Sequence, residues 1–432
     1  MITSTAWKDK RYAVLGLARS GRATVEALLA SGAEVMAWDR SEEARAEFAD
    51  RVELADPVEA DLTGFAGVVV SPGVPLNTHP IKPHADSFGV PIIGDIELFA
   101  QARAELPPHK VVGITGTNGK STTTALVHHV LKTAGVPTTM GGNIGLPILE
   151  QEPLPEGGVY VLELSSYQID LTYSLDCDVA VLLNITPDHL DRYDGDFAKY
   201  AASKARLFEM QSPQRFAVVD CQAEADEDVL ANAEEPLIQF IGDVPIEISA
   251  RWPWLKGRHN QQNAAAAWAV CDDLGLSNDA IENGLKTYPG LPHRMERVAE
   301  ISGVAYINDS KGTNTAASAP ALAAFENIHW ILGGLAKEPK KGESLLGECE
   351  AELSHIKAAY TIGKSGPDFA ALLEGRVPVT PCETLDHAVT RAVSHAVSGD
   401  TVLLSPACAS FDQYRDFEAR GEHFRELVEG LK

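Results

Sequence analysis

At 432 residues the chain is too long for one ordinary core, so several domains are expected. Apolar residues at 45% and charged residues at 22% are ordinary for a globular protein. A formal charge of −25 argues against a nucleic-acid surface, which needs a basic footprint, and leaves anionic ligands to local pockets.

The six cysteines (Cys177, Cys221, Cys271, Cys349, Cys382, Cys408) are scattered, without disulfide or zinc spacing. The opening MITSTAWKDKRYAVLGL contains a strand and no leader-peptide architecture. No apolar run approaches the roughly 20 residues that span a bilayer. A cytoplasmic protein with no membrane partner is expected.

From residue 11 to about 100, short apolar strands alternate with amphipathic helices, the pattern of a parallel sheet with crossovers. GLARSG (Gly16 to Gly21) resembles a dinucleotide fingerprint with Ala18 in place of the middle glycine, and Asp39 stands at the ribose spacing. A nucleotide-like ligand and simple helix–strand packing both remain open there.

Pro107-Pro108 marks a linker, and VVGITGTNGKSTTT (Val111 to Thr124) follows. A β-branched run ends in a Gly-rich turn at the start of a helix, which places backbone N–H groups and the helix dipole around phosphate oxygens. Lys120 is expected to reach the outer phosphates, and a hydroxyl of Ser121 or Thr122 to hold Mg²⁺. Strict P-loop spacing has glycine where Ile114 stands, so the motif is a variant bracketed by Gly116 and Gly119. It predicts binding of ATP or a close relative.

Glu163 ends the strand VYVLELSS, where a metal ligand of a phosphate-loop domain belongs. His189, in NITPDHLDRY, follows the next strand and is read as a metal or substrate contact. Lys204, in YAASKARLF, reads by composition as an ordinary helical lysine. An Ala-rich helix is expected after HNQQN (residues 259 to 263). The acidic segment from Asp220 to Pro245 receives no chemistry.

Pro289, Gly290 and Pro292 mark a second boundary, after which strands and helices alternate again. NDSKGTN places Asp309, Ser310, Lys311 and Thr313 after a strand, GGLAK does so with Lys337, and SPACASFDQY with Ser410. Hydroxyls, lysines and a carboxylate recurring at three strand ends are how an open α/β sheet builds a site.

Taken in order, GITGTNGKSTT, GGNIG, LELSSYQ, NITPDHLDRY, HNQQNAAAA, LPHRME, NDSKGTNT and ILGG resemble the Mur ligases, ATP-dependent amino-acid ligases of peptidoglycan precursor synthesis. The likeness runs from residue 11 to 430. SPACASFDQYRDFEARGEHF is similar to the D-glutamate-adding branch. The resemblance implies an α/β protein of three domains: a Rossmann-like UDP-sugar domain (1–105), a central P-loop ATPase domain with a mainly parallel sheet (106–291), and a C-terminal Rossmann-like amino-acid domain (292–432).

It also implies roles. Asp39, Arg40 and Ser71 would lie near the uracil and diphosphate of UDP-N-acetylmuramoyl-L-alanine, and Asn143 and His189 near its muramoyl-peptide end. Gly116, Thr117, Asn118, Gly119, Lys120, Ser121, Thr122 and Thr123, with Asn263, Arg294 and Asp309, would contact ATP. Ser121, Glu163, His189 and a carbamylated Lys204 would help hold two Mg²⁺ ions, and Lys120, His189 and Lys204 would be catalytic. Thr313, Lys337, Ser410, Phe411 and Phe417 would receive D-glutamate. A monomer working on small molecules is expected. A folylpolyglutamate synthase or another Mur ligase, a non-catalytic nucleotide-binding module, and an NAD-dependent oxidoreductase are the alternatives.

Overall fold

Three sheets of short, mostly apolar strands carry the described residues. The computed structural model describes residues 1–220, 237–241, 252, 255, 258–336 and 344–431. Lys337 and most of the acidic segment after Asp220 lie outside the described residues.

The first sheet is built from β1 (Arg11–Leu15), α1 (Arg19–Ala30), β2 (Glu34–Trp38), α2 (Glu42–Ala46), β3 (Glu53–Leu54), β4 (Phe65–Val70), α3 (Ile81–Phe88), β5 (Ile92–Ile93) and α4 (Asp95–Ala102). Its order is β3-β2-β1-β4-β5, all parallel. Val68, Val69 and Val70 are all buried, as expected of a parallel strand covered on both faces. Between β1 and α1 the glycines of GLARSG are needed for packing. Gly16 has φ +95°, and a Cβ on Gly21 would stand 1.8 Å from the Gly16 carbonyl oxygen.

The second sheet comprises β6 (His109–Thr115), α5 (Lys120–Thr133), β7 (Thr138–Gly142), β8 (Gly158–Glu163), α6 (Ser166–Asp170), β9 (Val179–Leu182), α7 (Phe197–Glu209), β10 (Phe216–Asp220), β11 (Leu237–Ile241), α8 (Arg258–Asp273) and α9 (Asn278–Thr287). Its strands are parallel in the order β11-β10-β9-β6-β8-β7. Because β9, β6 and β8 are neighbours, the loops leaving their C-terminal ends gather at one edge, where ligands bind in open α/β sheets.

These two sheets belong to one compact unit, Met1–Tyr288, and share a continuous core. Phe99 of α4 meets Tyr160 of β8 edge-on, ring centres 5.1 Å apart. Glu97 of α4 accepts hydrogen bonds from the amides of Tyr173 and Ser174 and from the Ser174 hydroxyl.

The second unit, Pro289–Lys432, holds β12 (Glu296–Ile301), β13 (Val304–Asn308), α10 (Thr315–Ala323), β14 (Ile328–Gly333), β15 (Ile356–Ile362), α11 (Gly366–Leu373), β16 (Val379–Glu383), α12 (Leu385–His395), β17 (Thr401–Leu404) and α13 (Phe417–Glu429). The order is β12-β13-β17-β14-β15-β16. Among its described strands only β12 runs antiparallel, joined to β13 by the two-residue turn Ser302-Gly303, both with positive φ, a hairpin geometry that follows strand twist.

Two sequence expectations need correction. HNQQN does not precede the Ala-rich helix but lies inside α8, because its amides bond one another (Asn263 Nδ2 to Asn260 Oδ1, 3.4 Å) rather than compete with the helix backbone. The acidic segment also contains a strand, the apolar LIQFI of β11, paired with β10. No described helix is long and apolar enough to cross a membrane. Five cysteines, Cys177, Cys271, Cys349, Cys382 and Cys408, are buried free thiols.

Candidate active site

The turn after β6 wraps around its own lysine. Gly116 and Gly119 take φ of +148° and +85°, and α5 starts at Lys120, whose Nζ donates to the carbonyls of Gly116 (3.0 Å) and Thr117 (2.8 Å). The amides of Thr117 and Asn118 are held by Asn184, just after β9, through its carbonyl and side-chain oxygens, each at 2.8 Å. The amides of the first turn of α5 form the positive end of its dipole. Asn263 of α8 packs against the turn: a Cβ on Gly119 would stand 2.3 Å from its Oδ1, which also accepts from Thr123 Oγ1 at 3.3 Å. Ser121 and Thr123 are buried, and Thr122 is half-buried.

Lys204 is the residue that composition undersold. It is 1% exposed, on the inner face of α7, and its Nζ donates to the Gly116 carbonyl at 2.9 Å and to Thr115 Oγ1 at 3.4 Å. Its ammonium lies 4.8 Å from the Tyr200 ring centre, and the Tyr200 hydroxyl meets Thr117 Oγ1 at 3.1 Å. Burial, and then the positive charge of Lys120, push Lys204 down to about 7. Near neutral pH much of it is a free amine.

Glu163, at the end of β8, is 2% exposed. Asn143 donates to it twice, through its amide to the Glu163 carbonyl and through Nδ2 to Oε1, each at 2.8 Å. The other carboxylate oxygen, Oε2, is buried with no hydrogen-bond partner. A buried carboxylate oxygen left bare is costly unless a cation meets it. The position therefore fits a metal. Among the described residues no three His, Cys, Asp or Glu side chains gather as a metal cage. One carboxylate, a hydroxyl and phosphate oxygens are instead the usual surroundings of Mg²⁺.

His189 opens a 3-10 turn, Leu190–Tyr193, in the loop after β9. It is exposed, with its Nε2 3.6 Å from Asp188, and its ring rests 5.4 Å from that of Tyr167 on α6, the helix that follows Glu163. Sequence reasoning missed Asn184, Tyr167, Tyr200 and Arg192, whose neighbours come from other strands.

At the C-terminal edge of the first sheet, Trp38, Asp39, Arg40, Asp56, Thr78 and His79 help line a cavity of about 570 Å³. Asp39 builds its wall, accepting from the amides of Leu17 (2.6 Å) and Ser41 (2.8 Å). Ser71 Oγ likewise donates to the Gly16 carbonyl at 3.1 Å. Arg45 lies over the Trp38 ring at 4.4 Å and donates to the carbonyls of Asp39 and Arg40. His79 accepts the Ile81 amide on Nδ1 at 3.2 Å, which leaves the proton of the neutral ring on Nε2. Burial, then the Arg40 charge, hold its pKa below the usual histidine value.

In the second unit, Asp309 follows β13 and is buried, with its carboxylate accepting from Ser405 Oγ at 2.6 Å and the Met295 amide at 3.1 Å. Burial pushes it up to about 7 despite those bonds and the nearby Arg294 and Arg420. Arg420, on α13, is buried and donates to Ser310 Oγ, the Ser310 carbonyl and the Cys408 carbonyl, which ties the loops after β13 and β17 together. Ser410 is buried, Phe411 is 71% exposed, and Phe417 lies edge-on to His293 with Lys311 5.6 Å over its ring. Thr313 is half-buried beside Lys311, whose carbonyl its amide reaches at 2.8 Å.

A phosphate-type loop, a bare carboxylate oxygen and a sealed lysine at one edge of a parallel sheet are the marks of an α/β enzyme that handles nucleotide phosphates. Residues 114–253 match the Mur ligase middle domain and residues 293–408 the Mur ligase glutamate ligase domain. The chain is 60% identical to the UDP-N-acetylmuramoylalanine--D-glutamate ligase of Novosphingobium aromaticivorans, covering 100% of this chain and 97% of that protein. It is 54% identical to the ligase of the same name from Zymomonas mobilis, covering 100% of both. In fold it is similar to UDP-N-acetylmuramate-alanine ligase MurC from Thermotoga maritima, with a TM-score of 0.57, 18% identity, and 98% and 100% of the two chains covered.

The chain belongs to the Mur ligase family, whose members are ATP-dependent ligases that form amide bonds.

Proposed function

We propose that the protein joins D-glutamate to UDP-N-acetylmuramoyl-L-alanine with ATP, in the cytoplasm and as a monomer, during assembly of a peptidoglycan precursor. The full-length likeness to relatives of that name carries the choice of substrates. On this reading residues 1–105 receive the UDP-sugar, residues 106–291 ATP, and residues 292–432 D-glutamate.

A carboxylate is a poor electrophile, so its oxygen first takes the γ-phosphoryl group of ATP, giving an acyl phosphate and ADP. The D-glutamate amine then adds to the carbonyl carbon, loses a proton, and phosphate leaves. The first step needs charge neutralisation and alignment more than covalent help. Lys120 and the amides opening α5 would cradle the phosphates, with Gly116, Thr117, Asn118, Gly119, Ser121, Thr122, Thr123 and Asn263 shaping the turn. Arg294 and Asp309 would be nucleotide contacts. When bound, two Mg²⁺ ions would spread the charge on the phosphoryl oxygens. Glu163 Oε2, the Ser121 hydroxyl, His189 and a carbamylated Lys204 would hold them.

The lowered pKa of Lys204 supports that modification, because only a neutral amine adds to CO₂. The Nζ–C bond forms, a proton leaves, and a buried cation becomes a carboxylate. Asn143 and His189 would face the muramoyl-peptide end, and Asp39, Arg40 and Ser71 the uracil and diphosphate. Thr313, Lys337, Ser410, Phe411 and Phe417 would receive D-glutamate.

The deciding experiment is ATP-dependent phosphate release with UDP-N-acetylmuramoyl-L-alanine, offering D-glutamate, L-glutamate, L-alanine and meso-diaminopimelate in turn. Turnover with D-glutamate alone is expected. Turnover with another acceptor would move the protein elsewhere in the family.

A further inference from the structure

The loop that walls the first-sheet cavity, residues 71–80, is bolted to the His189 loop of the second sheet. Gly73 and Val74 line the cavity, and their carbonyls are the acceptors of Arg192: Nη2 to Gly73 at 2.7 Å and Nη1 to Val74 at 2.9 Å. Three residues on, Asn77 Nδ2 returns a bond to the Asp191 carbonyl at 2.9 Å. The Arg192 guanidinium also lies 4.5 Å over the Tyr167 ring, the same ring that His189 rests against. One planar group thus grips two carbonyls of the cavity wall and the aromatic support of His189 at once, a combination open to arginine and closed to lysine.

The loop it holds has reason to need holding. His189 and Asp194, at either end of the 3-10 turn, take left-handed φ of 52° and 57°. That region is uncommon for non-glycine residues, although His and Asp enter it more readily than most.

We propose that Arg192 is a positioning residue that couples the nucleotide-sugar cavity to His189, so that an occupied cavity places the His189 loop for reaction. This rests on the reading of the cavity and of His189 given above. It makes filling of the first-sheet cavity matter to kcat, although the uridine end of the substrate takes no part in chemistry.

Two measurements test it. The first is a double-mutant cycle in the reaction above. R192A should raise KM for the UDP-sugar and lower kcat together, by about 10- to 100-fold as expected of a small misplacement of reacting groups, and leave KM for ATP within about twofold. In an H189A background R192A should lower kcat by less than about twofold, since residues acting as one unit are non-additive. R192K should keep the fold but recover little of kcat. An undiminished R192A effect on kcat in the H189A background, or an effect on KM alone, overturns the proposal. The second is amide hydrogen exchange without substrate, which needs no turnover. R192A should exchange faster in both 73–79 and 186–195, with β6 and β8 unchanged. Faster exchange in only one of the two loops overturns the proposal. If the wild type turns over no UDP-sugar, the functional reading fails, and the exchange result still decides whether Arg192 joins the loops.

Discussion

Lys204 Nζ and the Gly116 carbonyl oxygen stand 2.9 Å apart, a buried bond between residues 88 positions apart in sequence. It seats the only described lysine that is fully buried against the phosphate loop itself. Burial and the Lys120 charge lower its pKa to about 7, so the folded protein binds fewer protons here than the unfolded chain, whose lysine titrates near 10.5. This group therefore penalises folding most below about 7, and the penalty fades as pH rises toward 10.5.

For activity the expected sign is the same. If Lys204 must be neutral to take up CO₂, kcat rises through pH 7, and added bicarbonate helps most on the acidic side. K204R, which stays charged, should lose about 10²- to 10³-fold in kcat, the scale of removing an electrostatic catalyst. Rates measured at pH 6 to 9 with and without bicarbonate check this; a bicarbonate effect retained by K204R would sink it.

Glu163 offers a sharper separation of stability from function. E163Q keeps the shape and the Asn143 contact but removes a buried charge with one bare oxygen. Thermal melting without metal should be unchanged or raised, while Mg²⁺-dependent turnover falls about 10²-fold or more. A drop in melting temperature equal to that of an ordinary core mutation would show that the carboxylate serves packing instead.

Asp309 predicts a pH-dependent stability difference. Its pKa is raised from 3.8 to about 7, so the folded state holds its proton more tightly and stability from this group is lost as pH rises from about 4 to about 7. D309N lacks that loss. Its melting temperature relative to wild type should climb across that window and level off above it. A flat difference from pH 4 to 8 would refute the assignment, whatever happens to turnover.

Asn184 fixes the phosphate turn from a neighbouring strand. N184A removes one acceptor from the Asn118 amide and one donor to the Asn118 carbonyl. KM for ATP should rise about 10-fold, the scale of a loop displaced by a fraction of an ångström, and KM for the other substrates should hardly move. Steady-state kinetics in each substrate will tell.

What was legible in the sequence was local. GTNGK announces its turn because glycine spacing and helix start lie within a few residues, and Glu163 was found because it closes an apolar strand. Lys204 reads as a surface lysine until β6 is placed beside α7; only the family likeness marked it. Asn184 and Arg192 stand inside NITPDHLDRY, but nothing local names their partners, which belong to the turn after β6 and to the 71–80 loop. β12 escaped notice because half-buried ERVAEI lacks the apolar run of its parallel neighbours.

Glu97 and Phe99 join two sheets into one body, and this bears on how such genes can be taken apart. A fragment cut near residue 105 would leave the buried Phe99 and Ile96 facing water and would strip Tyr173 and Ser174 of their carboxylate acceptor. Chimaeras that exchange the first sheet between relatives must therefore carry the matching surface of β8 and the Tyr173–Ser174 turn with it. The second compact unit begins at Pro289, whereas the first two sheets fall within one unit.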